Sequence, residues 1–167
     1  MRGGSHRAHS FTVVRSSRPM PRDTVMQANF KRLDVEVEKP TRSHIGDAAV
    51  DLQARYDITI DSGERAAVPT GLAVAIPEGF AGLVLPRSGH ARRLGVGLVN
   101  GPGLIDSGYR GEISVLLINH GAESVTFSKG DRIAQLAVVP IVEVDWVEVD
   151  ELDDTPRGPG GFGSTGV

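Results

Sequence analysis

Short β-prone runs, each cut off by Gly, Pro, Asn or Asp, follow one another about every 8–12 residues from residue 29 onward. They read NFKRLDVEVE (29–38), DITID (57–61), AAVPTGLAVAIP (66–77), GLVLP (82–86), VGLVN (96–100), EISVLLIN (112–119), SVTFSKG (124–130) and DRIAQLAVVPIVEVDWVEVD (131–150). Strands this short and this regularly interrupted leave no room for crossover helices. They predict an all-β sandwich or barrel rather than βαβ units. Only RSGHARRLG (87–95) reads as a helical turn or short helix, and WVEVDELDD (146–154) reads as a last strand fading into an acidic linker.

With 167 residues the chain has room for one real core. No apolar stretch approaches the ~20 residues of a membrane span, so no membrane is expected. The absence of cysteine removes disulfides and thiolate metal sites and permits a reducing compartment, so a cytoplasmic location is expected. The net charge of −3 conceals an asymmetry. Residues 1–28 hold five arginines against Asp23 alone, which leaves 13 basic and 20 acidic side chains in residues 29–167. An acidic body does not present the basic face of a nucleic-acid-binding protein, so no direct nucleic-acid contact is expected from it. The first 28 residues, rich in Arg, Ser, His and Pro, read as an extension, disordered or wrongly assigned to the protein. They lack the apolar region of a secretory signal. Residues 29–150 form the expected β domain, and 151–167 an acidic linker and a flexible Gly-rich tail.

The chemistry-bearing stretch is NGPGLIDSGYRGEI (100–113), lying between two β-prone runs. NGPG is a turn cluster of the kind that closes a hairpin. Just past it stands Asp106, followed by Tyr109 and Arg110. A hairpin backbone can read a base edge, a tyrosine ring can pack against a sugar, and a carboxylate can take a proton. The same Asp alone could cap a turn, Tyr109 could belong to the core, and Asn100 could simply form the turn.

Four further segments complete a pattern: GDAAVDL (46–52), PRSGHA (86–91), GDRIAQL (130–136) and RGPGGFGSTG (157–166). In this order and spacing the five resemble the motifs of the trimeric dUTPases, the dUTP nucleotidohydrolases, and the resemblance spans residues 29–167. It implies a jelly-roll-like β fold, a homotrimer whose sites collect residues from all three subunits, and Mg²⁺-dependent hydrolysis of dUTP to dUMP and pyrophosphate. Such an activity limits uracil incorporation into DNA and supplies dUMP for dTMP synthesis. Asp106 is then the base that activates water against the α-phosphorus. Tyr109 packs under the deoxyribose, and Asn100 with the backbone as far as Ile105 pairs with uracil. Arg87, Ser88, Gly89 and Gln135 donate to the phosphates. Asp51 holds the Mg²⁺ through a water. In the tail, Arg157 neutralises the γ-phosphate and Phe162 stacks on uracil, with Gly163 and Ser164 closing over the substrate.

Two positions depart from the family pattern: Ala49, where glycine is usual, and His90, where an aliphatic residue is common. A glycine needed for positive φ at position 49 would strain the Asp51 loop. His90 receives no chemistry. The related dCTP deaminases resemble the same framework but carry a glutamate in the strand after the central motif, and here the matching position is Leu116. A non-catalytic nucleotide-sensing module on the same fold is the remaining alternative, and the intact Asp51, Arg87, Asp106 and Arg157 argue against it.

Overall fold

The structure, a computed structural model, describes residues 26–161. In chain order its strands are Asn29–Arg32 (β1), Ala49–Gln53 (β2), Ile58–Ile60 (β3), Arg65–Ala75 (β4), Phe80–Pro86 (β5), Val96–Leu98 (β6), Gly103–Ile105 (β7), Glu112–Asn119 (β8), Val125–Phe127 (β9) and Arg132–Pro140 (β10). Among the described residues a single helix, Ser88–Leu94 (α1), follows β5, at the expected short helical segment. Two four-stranded sheets, ordered β1-β4-β8-β6 and β2-β10-β5-β7, are joined by the small pair β3-β9. All ladders are antiparallel, in keeping with the all-β jelly-roll-like fold.

Period-two alternation sorts the side chains. Along β8, Ile113, Val115, Leu117 and Asn119 are buried while Ser114 and Leu116 are exposed. The inward residues of β8 and β4 meet Leu52, Val84, Ile105, Ala134 and Leu136 of the other sheet in one core. Ile133 and Ala134 are both buried although adjacent, because a register shift between Arg132 and Ala134 inserts an extra residue into β10. Fully buried Asn119 is satisfied on both sides of its amide. It donates to the carbonyls of Ile60 (2.9 Å) and Glu123 (2.8 Å) and accepts from the Gly121 N–H (2.9 Å), tying β8 to β3.

Four expectations change. The alternating run 29–38 is strand only as far as Arg32, because Leu33 N–H turns aside to the Gly71 carbonyl and Asp34 accepts from the Glu36 N–H. The NGPG cluster closes no tight hairpin. Instead β6 pairs with β8, and residues 99–111 make a long excursion in which β7 crosses to pair with β5. Residues 141–150 form no strand: beyond the Ile141 N–H, which reaches the Gly79 carbonyl (2.9 Å), no described edge pairs with them, and Val142 and Trp146 stand 86% and 88% exposed. Conversely, GDAAVDL contains a strand, β2. Ala49 sits in its ladder opposite Ala137, so this position has extended backbone and no need of glycine.

Candidate active site

Tyr109 follows a turn closed by its own N–H to the Asp106 carbonyl (3.1 Å). This turn brings the phenol back over Gly111, and its hydroxyl donates to the Glu112 carbonyl (2.9 Å). Only glycine fits beneath it, since a Cβ at position 111 would lie 2.4 Å from the Tyr109 oxygen. Asn100, Ile105, Asp106 and Tyr109 line one cavity of about 220 Å³, together with Gly103, Glu112, Ser114 and Leu116. Asp106 is exposed, and among the described residues no side chain bonds to its carboxylate. A carboxylate held by the backbone but left free at its oxygens can accept a proton.

A second cluster lies on the same sheet. Asp51 on β2 and Gln135 on β10 are ladder partners, and the Gln135 amide approaches Asp51 Oδ1 at 3.5 Å. Arg87, which precedes α1, pairs with the same oxygen at 3.3 Å, and Arg132 stands 3.6 Å from the other. The Arg132 carbonyl in turn accepts from Arg87 Nη1 (3.0 Å) and meets the His90 Nε2 (2.6 Å), so His90 helps to anchor this corner. Ser88 and Gly89 open α1, where the first N–H groups of a helix have no partner within it. Two guanidiniums and an amide thus face one carboxylate, a set of donors of the kind that can hold phosphate oxygens. Asp131 closes the turn before β10 by accepting from the Ser128 N–H at 2.8 Å.

The two clusters do not meet within one chain. Asp106 lies one step beyond the Ile105–Gly82 pair, and Asp51 is level with Leu85, so they differ by four residues along the sheet and by three strand positions across it. At ordinary strand spacings that is on the order of 20 Å. Arg157 lies in a turn where its Nε donates to the Gly160 carbonyl (3.1 Å). Phe162, Gly163 and Ser164 lie outside the described residues.

A family model described as dUTPase matches residues 35–166. The chain belongs to the dUTPase family. Among similar proteins is the deoxyuridine 5'-triphosphate nucleotidohydrolase of Nocardia farcinica, 53% identical over 138 residues that make up 82% of this chain and 84% of the relative. The dUTPase of Staphylococcus bacteriophage 80alpha, solved with dUPNHPP, shares the fold with a TM-score of 0.79 at 29% identity, over 86% of this chain and all of that one. A variant dUTPase of phage phi11 of S. aureus, described as revealing the coordination of a structural Mg(II) ion, aligns with a TM-score of 0.70 at 26% identity, over 75% of this chain and 98% of that one. As a dUTPase the chain is a hydrolase of nucleotide metabolism, active on dUTP. Two residues beside these clusters carry no local signal: Glu112 stands in strand sequence yet lines the cavity, and His90, a departure from the family pattern, meets the Arg132 carbonyl.

Proposed function

We propose that this dUTPase cleaves dUTP to dUMP and pyrophosphate by attack of water on the α-phosphorus, with Asp106 as the base. The shared cavity of Asn100, Ile105, Asp106 and Tyr109 carries this reading. The Asp106 carboxylate orients the water and takes its proton. The water oxygen bonds to the α-phosphorus, and the bond to the β-phosphate oxygen breaks as pyrophosphate leaves. Such displacements are accelerated by positioning and charge neutralisation. Tyr109 packs against the deoxyribose, and Asn100 with the backbone to Ile105 pairs with uracil. Leu116 in the cavity wall has no group to move a proton to a cytosine amine, which supports hydrolysis over deamination.

Arg87, Ser88, Gly89 and Gln135 hold the phosphates, joined by Arg157 at the γ-phosphate, and Phe162, Gly163 and Ser164 close over the base. Asp51 fits a Mg²⁺ ion that arrives with the substrate. Among the described residues no three metal-ligating side chains gather, and a Mg²⁺ that keeps its waters and takes phosphate oxygens needs only one or two carboxylates. When bound, that ion supplies charge neutralisation to the leaving pyrophosphate. The distance between the two clusters exceeds the reach of a triphosphate, which supports a homotrimer that assembles each site from different subunits. The exposed apolar run from Ile141 to Val149 supports the same assembly, because an unpaired segment of this kind gains from lying on a neighbour. The cell would use the reaction to keep uracil out of DNA and to supply dUMP for dTMP synthesis.

A panel of nucleotides with a pyrophosphate readout tests the proposal. With Mg²⁺, dUTP is turned over and dCTP, dTTP and UTP far less. Comparable turnover of dCTP would overturn it.

A further inference from the structure

Strands β4 and β8 pair from Arg65–Ile118 to Pro69–Ser114, then resume at Ala73–Glu112. Thr70, Gly71 and Leu72 therefore face Ile113 alone, a bulge with two residues to spare. Backbone groups that lose their ladder partners need others, and here side chains supply them. The hydroxyl of Thr70, fully buried, donates to the Ile113 carbonyl at 2.8 Å. The Gly71 N–H donates to the Glu112 carboxylate at 2.7 Å. Gly71 has a φ of +68°, and a Cβ there would lie 2.6 Å from Val37 Cγ2, so the bulge needs glycine at its crest. Arg55 braces the far side. Its Nη1 reaches both Glu112 oxygens (3.3 and 3.4 Å), and its Nη2 donates to the Leu33 carbonyl (3.3 Å).

The bulge matters because of what hangs from it. The carbonyl of the same Glu112 holds the Tyr109 hydroxyl at 2.9 Å. No other described hydrogen bond restrains that phenol, which is 46% exposed. The ring's orientation in the cavity is thus set by where the bulge puts Glu112.

We propose that Glu112 is a positioning residue for sugar discrimination, its carboxylate locking the β4 bulge so that its carbonyl holds Tyr109 flat beneath the deoxyribose. The inference rests on the reading of Tyr109 as the sugar platform. Exclusion of a single hydroxyl by contact is only as sharp as the platform is rigid. A ring free to tilt by a fraction of an ångström admits the 2′-oxygen of a ribonucleotide.

The test is the ratio of kcat/KM for UTP to that for dUTP, measured on the full chain and on its Glu112→Ala, Tyr109→Phe and Tyr109→Ala variants. The fraction of active enzyme cancels in this ratio, so a merely structural loss leaves it unmoved. Asn119→Ala, at the other end of β8, serves as that control. The expected result is a rise of about tenfold or more in Glu112→Ala and in Tyr109→Phe, which loses only the tether, with no rise in Asn119→Ala. A rise in Tyr109→Ala with wild-type ratios in the other two overturns the role of Glu112 and leaves the Tyr109 platform standing. A wild-type ratio in Tyr109→Ala overturns the platform itself. Should Glu112→Ala fail to fold, Glu112→Asp, whose shorter side chain draws the carboxylate away from the Gly71 N–H, takes its place, and a wild-type ratio there overturns the role of Glu112.

Discussion

Arg87 Nε stands 3.3 Å from Asp51 Oδ1, so the cation proposed to receive phosphate and the anion proposed to face Mg²⁺ neutralise each other before any substrate arrives. Both charges are thereby held in place by a partner that the Mg-nucleotide would replace. In Asp51→Asn the Mg²⁺ concentration giving half-maximal pyrophosphate release should rise by about 10–100-fold, the usual cost of losing a carboxylate that acts through a bound water. A Mg²⁺ titration, with circular dichroism to confirm the fold, checks this. An unchanged midpoint would assign Asp51 to the structure alone.

Asp106 presents a carboxylate with no described partner at the mouth of its cavity. The Asp106→Asn change keeps the shape and removes the proposed base. Turnover should fall by about 10²–10⁴-fold, the typical share of a general base. Calorimetry with a non-hydrolysable dUTP analogue should still detect binding, and loss of binding along with turnover would make Asp106 structural.

Lys129 joins the Asp34 and Glu36 carboxylates, linking the loop after β1 to the turn before β10. The Glu36 N–H and then the Lys129 ammonium hold the Asp34 carboxyl below its ordinary range. The carboxylates of Glu36 and Asp34 hold the Lys129 ammonium above its own. A lowered acid stabilises the fold above its unfolded pKa and loses that contribution as pH falls through the folded one. The raised base contributes below its unfolded pKa and loses it as pH climbs through the folded value. The stability gap between the wild type and Asp34→Asn should therefore be constant near neutrality and close below about pH 4. Urea midpoints at pH 7 and pH 3 measure it, and an equal gap at both would refute the assignment.

Asn119 is buried with three hydrogen bonds to backbone groups. Asn119→Ala strands the Ile60 and Glu123 carbonyls and the Gly121 N–H. The cost should be about 2–4 kcal/mol, read as a lower urea midpoint with little change in slope.

The β character of the chain was legible because strand-forming runs and their turn residues are local signals, but VLLI within EISVLLIN is an unbroken apolar run, and only the sheet decides that Leu116 faces out while Asn119 is buried. Where tertiary partners decide, local pattern misled. Leu33, Val35 and Val37 alternate, yet the chain turns there because the Gly71 carbonyl claims the Leu33 N–H. VEVDWVEVD alternates as well, with one slip at Trp146–Val147, but has no edge to join among the described residues. At the site, the family motifs located Asn100, Asp106 and Tyr109, which do share a cavity. Glu112 escaped notice because its contribution depends on a register shift between β4 and β8, and a bulge leaves no local mark beyond a glycine.

The gap between the Asp106 cavity and the Arg87 cluster has a consequence for inheritance. If no chain completes a site alone, a copy crippled at Asp106 and a copy crippled at Arg87 are each inactive by themselves and yet complement one another. In the proposed trimer, random mixing of equal amounts would leave about a quarter of the sites with both working halves, since each half comes from an intact donor in about half of the cases. Two silent alleles in one cell would then restore an activity that neither encodes.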